Sequence, residues 1–123
     1  MADTDAMKRY NPLTIASALD PFDFHEFAPF NSASFAVFHG TGGGTSDWEI
    51  HRDTDEFLFV LEGSVTVEIL TDSDSQLIPL TPGEFIVVAA GHWHRHVNVM
   101  NLTELYFTPG SSEQSDAADP RAR

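Results

Sequence analysis

A chain of 123 residues with 41% hydrophobic positions, ten phenylalanines among them, has room for one packed domain and little more. Six Lys and Arg against 19 Asp and Glu give a formal net charge of -13, which repels phosphate backbones and anionic lipid, so neither nucleic acid nor membrane is expected as a partner. The lack of cysteine excludes disulfides, thiolate nucleophiles and thiolate metal sites. With no apolar run near the roughly 18 residues that span a bilayer, a soluble cytoplasmic protein is the expectation.

Residues 1–12 are polar and are expected to be a flexible N-terminal segment, followed by a single domain over residues 13–109. Thr14 to Leu19 reads as one helical turn, ended by Asp20-Pro21. From Ser34 the pattern changes to short β-type runs: SFAVFH, DWEIH, EFLFVL, SVTVEIL, QLIPL, EFIVV, RHVNVM and TELYF. Glu62-Gly63 is expected as a tight turn between two of these runs, and Thr71 to Asp74 and Thr81-Pro82-Gly83 as the next two turns. An all-β sandwich or barrel of about eight antiparallel strands follows, since closure is how such chains avoid exposed edges.

Within the strands, Val65, Val67 and Ile69 share one face and Ser64, Thr66 and Glu68 the other. EFLFVL is apolar on both faces. Leu58 and Val60 are expected inside, with Phe57, Phe59 and Leu61 against a second sheet or a neighbouring subunit, the basis for expecting a homodimer. Residues 110–123 are rich in Ser, Asp and Ala, without periodicity, and are expected to form a disordered acidic tail.

Two clusters of ligand-type residues stand about forty positions apart. Glu49 and His51 are two apart on a strand and share a face, Glu56 follows five positions later, and Gly63 seven after that. The second cluster is PGEFIVVAAGHWHRHVN, with Gly83, Gly91, His94 and Asn98 spaced GxxxxxxxGxxHxxxN. Here the sequence resembles the cupin superfamily, whose motifs run HxHxxxxE, six residues and Gly, then GxxxxxPxGxxHxxxN. Glu49 stands where the first His would be and Ala89 where the Pro would be; every other spacing agrees. The resemblance implies a double-stranded β-helix jelly-roll barrel in which Glu49, His51, Glu56 and His94 converge on a metal.

A divalent cation would offset the desolvation cost of burying these carboxylates and imidazoles together. His51, His94 and Glu56 alone make a two-His-one-carboxylate set of the kind non-haem iron oxygenases use, and Glu49 is either a fourth, harder ligand or a base beside the ion. The expected cofactor is one divalent transition metal (Fe, Mn, Ni, Co or Zn).

His96 shares the face of His94 and reads as a supporting donor or pocket wall, whereas His92 falls in the turn and is expected at the surface. Trp48 and Trp93 flank ligand positions and are candidates for the pocket wall, with ordinary core or rim packing as the alternative. His25 and His39 read as packing or surface residues. Gly42-Gly43-Gly44 reads as a flexible loop near the barrel mouth, because no phosphate-binding motif surrounds it. No GxSxG occurs.

The expected function is a metal-dependent enzyme acting on a small oxygen-bearing organic molecule, dioxygenase-like, with isomerase or lyase chemistry using Glu49 as base next in line. A non-catalytic small-molecule binding or sensing module is the alternative from a different class.

Overall fold

Asn11 and Pro12 set the first element of the computed structural model, which describes residues 8–27, 30–31 and 33–121. The Asn11 side chain accepts from Leu13 N and Thr14 N at 3.1 and 3.2 Å, and Pro12 sits where a missing N–H costs nothing, so α1 covers Pro12–Ala16. This start lies two residues before the one expected from Thr14, because the cap and not the apolar spacing sets it. Most of the segment expected to be flexible, residues 1–7, lies outside the described residues.

Eight antiparallel strands follow among the described residues: β1 (Asp23–Glu26), β2 (Ser34–Gly40), β3 (Trp48–Ile50), β4 (Glu56–Leu70), β5 (Ser75–Leu80), β6 (Phe85–Val88), β7 (His94–Thr108) and β8 (Glu113–Ser115). They pair in the order β1-β2-β7-β3-β8, while β4 pairs with β7, β5 and β6. The result is a curled antiparallel sheet, the all-β jelly-roll barrel expected.

The strand boundaries differ from the reading of short runs. Glu62-Gly63 is not a hairpin turn: EFLFVL and SVTVEIL are one strand, β4, which shifts register against β7 between Val60 and Thr66. Gly63 has φ of 77°, and an added Cβ there would collide with the main-chain oxygens of Met100 and Asn101. Here the glycine makes a bulge that lets β4 bend while β7 passes tightly across it. RHVNVM and TELYF likewise belong to one strand, β7, which carries left-handed residues at Asn98 and Asn101. The turns at Thr71 to Asp74 and at Thr81 to Gly83 form as expected, closed by Thr71 N to Asp74 O and Glu84 N to Thr81 O.

The segment expected to be a disordered acidic tail carries a short strand and ion pairs. β8 pairs with β3, Arg52 bridges to Glu113 at 2.7 Å, and the Arg121 guanidinium donates to the carbonyls of Thr71 and Asp74. The unpaired edge of β3 supplies the reason: a short strand takes up the tail through backbone bonds that need no apolar pattern.

The core comprises Leu58, Val60, Val65, Val67, Leu80, Val88, Val99 and Leu102, all buried, with Ile69 and Ile86 packed against it. On the opposite face of β4, Phe57 and Phe59 cluster with Phe85 of β6, at 5.2 Å between the Phe57 and Phe85 rings, and Phe85 and Val87 remain more than half exposed. No helix among the described residues is long and apolar enough to cross a membrane.

Candidate metal centre

Sheet register brings the two halves of the cluster together. Glu49 of β3 lies opposite His94, the first residue of β7, while Glu56 begins β4. The turn before β7 is clipped to the loop before β4, with Ala90 N donating to Asp55 Oδ1 at 2.9 Å and Gly91 N to the His51 carbonyl at 2.8 Å. Four side chains from three strand ends therefore meet: Glu49, His51, Glu56 and His94 offer ligand atoms that all lie within 4.8 Å of one another.

The contacts centre on one carboxylate oxygen. Glu56 Oε1 is 2.8 Å from His94 Nε2 and 3.3 Å from His51 Nε2, and Glu49 Oε1 is 3.7 and 3.5 Å from the same two nitrogens. His51, Glu56 and His94 are buried, whereas the Glu49 side chain is 30% exposed. Both rings are oriented from behind. His51 Nδ1 donates to the Ser111 carbonyl at 3.3 Å and His94 Nδ1 to the His92 carbonyl at 3.1 Å, which leaves each Nε2 facing the cluster.

Electrostatics follow from this crowding. Burial opposes charge on the His51 imidazole, but Glu49 and Glu56 outweigh it and hold the ring protonated up to about 10. For Glu56, burial favours the neutral acid, yet His51 and His94 together bring the carboxyl down to about 2. His51 Nε2 is buried and makes no well-directed hydrogen bond among the described residues, although Glu56 and Glu49 oxygens lie 3.3 and 3.5 Å away. A nitrogen held between two carboxylates without a directed bond, on a ring whose other nitrogen is anchored, fits a cation at that point.

The cluster opens into a cavity of about 600 Å³, walled by Phe24, Phe38 and Tyr106 and by the polar residues His96 and Glu104. Burial and nearby carboxylates, Glu26 first, push the Tyr106 hydroxyl well above its usual range. His96 lines the cavity and pairs with Glu104 at 2.7 Å; burial works against its charge, but Glu104 lifts it to about 9. Trp48 and Trp93 are not among the cavity-lining residues. Strand alternation turns Trp48 away from Glu49, and its ring lies beneath the Arg95 guanidinium at 4.2 Å; Trp93 sits against Arg52.

His92 is only partly exposed and supplies the carbonyl that orients His94. The loop Gly42-Gly43-Gly44 lies near the cavity and is tied to β7, with Gly43 N donating to the Val99 carbonyl at 2.7 Å. His39 Nδ1 donates to the Leu102 carbonyl and His25 is exposed against Phe27, outside the cluster. Sequence reasoning missed Ser111, whose contribution is a main-chain oxygen, and Glu104, whose only signal is a lone acid in the apolar run TELYF.

A curled jelly roll with a two-His, two-Glu cluster in its cavity defines a class of small metal-capable β-barrels. The Cupin domain model matches residues 37–107, more than half of the chain, and the chain belongs to that family. No curated protein matches it by sequence.

Among solved structures it is similar to hydroquinone 1,2-dioxygenase PnpCD in complex with Cd2+ and 4-hydroxybenzonitrile, with TM-score 0.66 and 20% identity over 80% of this chain and 70% of that one. A cupin-2 domain containing protein from Shewanella frigidimarina gives TM-score 0.61 and 22% identity over 80% and 89% of the two chains. Oxalate decarboxylase of Lactobacillus farciminis, a formate complex, gives 0.60 and 17% over 68% of this chain but only 26% of that one. At these identities the likeness is one of fold.

Proposed function

We propose that the protein is a metal-dependent cupin in which Glu49, His51, Glu56 and His94 hold one divalent transition metal, of the Fe, Mn, Ni, Co or Zn group, and which acts on a small oxygen-bearing organic molecule. The observation that carries this reading is the convergence of two imidazoles and two carboxylates within 4.8 Å, with each Nε2 turned inward by an Nδ1 anchored on a main-chain carbonyl. A bound cation of this kind supplies Lewis-acid polarisation of substrate oxygens and, for a redox-active metal, dioxygen chemistry.

The chain's own residues do the rest. His51 and His94 would hold such a cation through Nε2, and the carbonyls of Ser111 and His92 keep both rings from turning. Leu58 and Phe38 give the cavity apolar walls that limit water around the reacting group. Dioxygenase-like chemistry is the favoured activity, supported by the two-His, carboxylate-rich donor set and by structural similarity to a hydroquinone dioxygenase.

Isomerase or lyase chemistry at the same site has one observation in its favour: Glu49 is the most exposed of the four and faces the cavity, where a carboxylate can take a substrate proton. A cytoplasmic location suits the cysteine-free chain. The cluster of half-buried Phe57 and Phe59 with exposed Phe85 and Val87 supports a homodimer formed through the outer face of β4 and β6.

Elemental analysis and oxygen uptake test the proposal together. About one metal per chain, lost in His94→Ala, with oxygen consumed in the presence of catechols or diketones under Fe(II) loading, is expected; a metal-free protein would refute the centre. Silence across that panel in loaded protein would turn the reading to an isomerase, a lyase or a non-catalytic binder. Glu49→Gln separates a base, where metal stays and activity goes, from a ligand, where both go. Light scattering is expected to show a dimer, and a monomer throughout would remove that part of the proposal.

A further inference from the structure

The cavity has a second polar end that the metal reading does not use. His96 follows His94 by two positions on β7 and lines the same cavity, and Glu104 returns to the cavity wall after the left-handed residues Asn98 and Asn101. His96 Nε2 lies 2.7 Å from Glu104 Oε1, and because a carboxylate oxygen accepts, the ring nitrogen donates. The Glu104 side chain is 1% exposed, and its other oxygen, Oε2, is buried with no hydrogen-bond partner among the described residues.

A carboxylate oxygen removed from water and left without a donor is costly to keep, unless a donor arrives during function. The walls around the pair are aromatic. Phe38 packs on the His96 ring at 5.7 Å, and Phe24 stands 6.4 Å from Tyr106. Residues two apart on one strand face are about 7 Å apart, so a single small ring can reach from the His94 side of the cavity to the His96 side.

We propose that Glu104, held by His96 through one oxygen, is a specificity-determining residue whose second oxygen accepts a hydrogen bond from a hydroxyl group at the end of the substrate remote from the metal. The inference rests on the metal-centred reading, because the metal fixes which end of the substrate is near and which is remote. A molecule that offers oxygen to the cluster but has no distal hydroxyl leaves Glu104 Oε2 unsatisfied and binds more weakly, as in any pocket built around a substrate hydroxyl.

Calorimetric titration of Mn(II)-loaded protein with two matched pairs, 4-hydroxybenzoate against benzoate and 4-hydroxybutanoate against butanoate, reads the effect directly. In at least one pair the hydroxylated member is expected to bind about tenfold more tightly or better. Glu104→Met should bring the ratio to about one, and the shape-preserving Glu104→Gln should reduce it severalfold, with metal content unchanged in both. Equal affinities within both pairs, no binding of either pair to loaded protein, or a preference that survives Glu104→Gln and Glu104→Met would overturn the assignment. Protein that takes up no Mn(II) in the same experiment overturns the metal reading and this inference with it, so the two failures are read separately.

Discussion

The two ends of the cavity bury the same kinds of side chain and arrange them differently. At the His96 end one imidazole faces one carboxylate at 2.7 Å, a pair that neutralises itself. At the His94 end two imidazoles and two carboxylates crowd within 4.8 Å, both rings are anchored through Nδ1 on main-chain carbonyls, and His51 Nε2 makes no well-directed hydrogen bond among the described residues. His96 uses Nε2 to donate to its carboxylate and has no such anchor among its hydrogen bonds. Convergence of four side chains with both Nδ1 atoms anchored from behind distinguishes a cation site from a single buried ion pair, and composition alone does not.

The largest expected effect breaks that contrast at its stronger end. His51→Ala or His94→Ala should weaken Mn(II) or Zn(II) binding by more than about 100-fold, above the loss usual for an outer contact, whereas Glu104→Gln should change it by less than about threefold. Competition against a fluorescent chelator measures both, and similar losses at the two ends would erase the distinction drawn between them.

A smaller effect should come from the tail. Removing residues 111–123 takes away the carbonyl that orients His51, and metal affinity should fall by about 10- to 100-fold while far-UV circular dichroism keeps its β-sheet form. Full affinity in the truncated chain would show that Ser111 does not hold the ring.

The least effect is one of pH. His51 is raised from 6.5 to about 10 and His96 from 6.5 to about 9, so the stability each contributes is complete below pH 6.5 and is lost as pH rises through those values. Glu56 is lowered from 4.5 to about 2, so its contribution is complete above pH 4.5 and is lost as pH falls through about 2. Metal-free protein should therefore hold all three contributions between pH 4.5 and 6.5, with Tm declining on the alkaline side. Saturating metal should remove the part of that decline due to His51 and leave the part due to His96. An alkaline decline unaltered by metal would contradict the assignment of charge to the two ends.

What could be read from the chain beforehand follows physical lines. The four clustered residues were visible because their two separated spacings resemble the cupin motifs, and strand periodicity adds only that Glu49 and His51 share a face. Leu58, Val60, Val65 and Val67 were visible through alternation, and all are buried. The bend at Gly63 was not, since Glu-Gly suits a hairpin turn and a bulge equally and only the passage of β7 decides between them. β1 escaped notice because all four of its residues are exposed and no face is marked. β8 and the Ser111 carbonyl act through the main chain, where residue type carries little signal. Glu104 finds His96 eight residues back along the same bent strand, a pairing that a straight strand would not allow.

The most direct measurement is anomalous diffraction from crystals of the protein loaded with Mn(II) or Zn(II). A single strong peak is expected within about 2.0–2.3 Å of His51 Nε2, His94 Nε2 and a Glu56 oxygen, with Glu49 beside it and no peak at the His96 and Glu104 pair. Loaded crystals with no peak at the four-residue cluster, and with the direct contact between His94 and Glu56 intact, would contradict it.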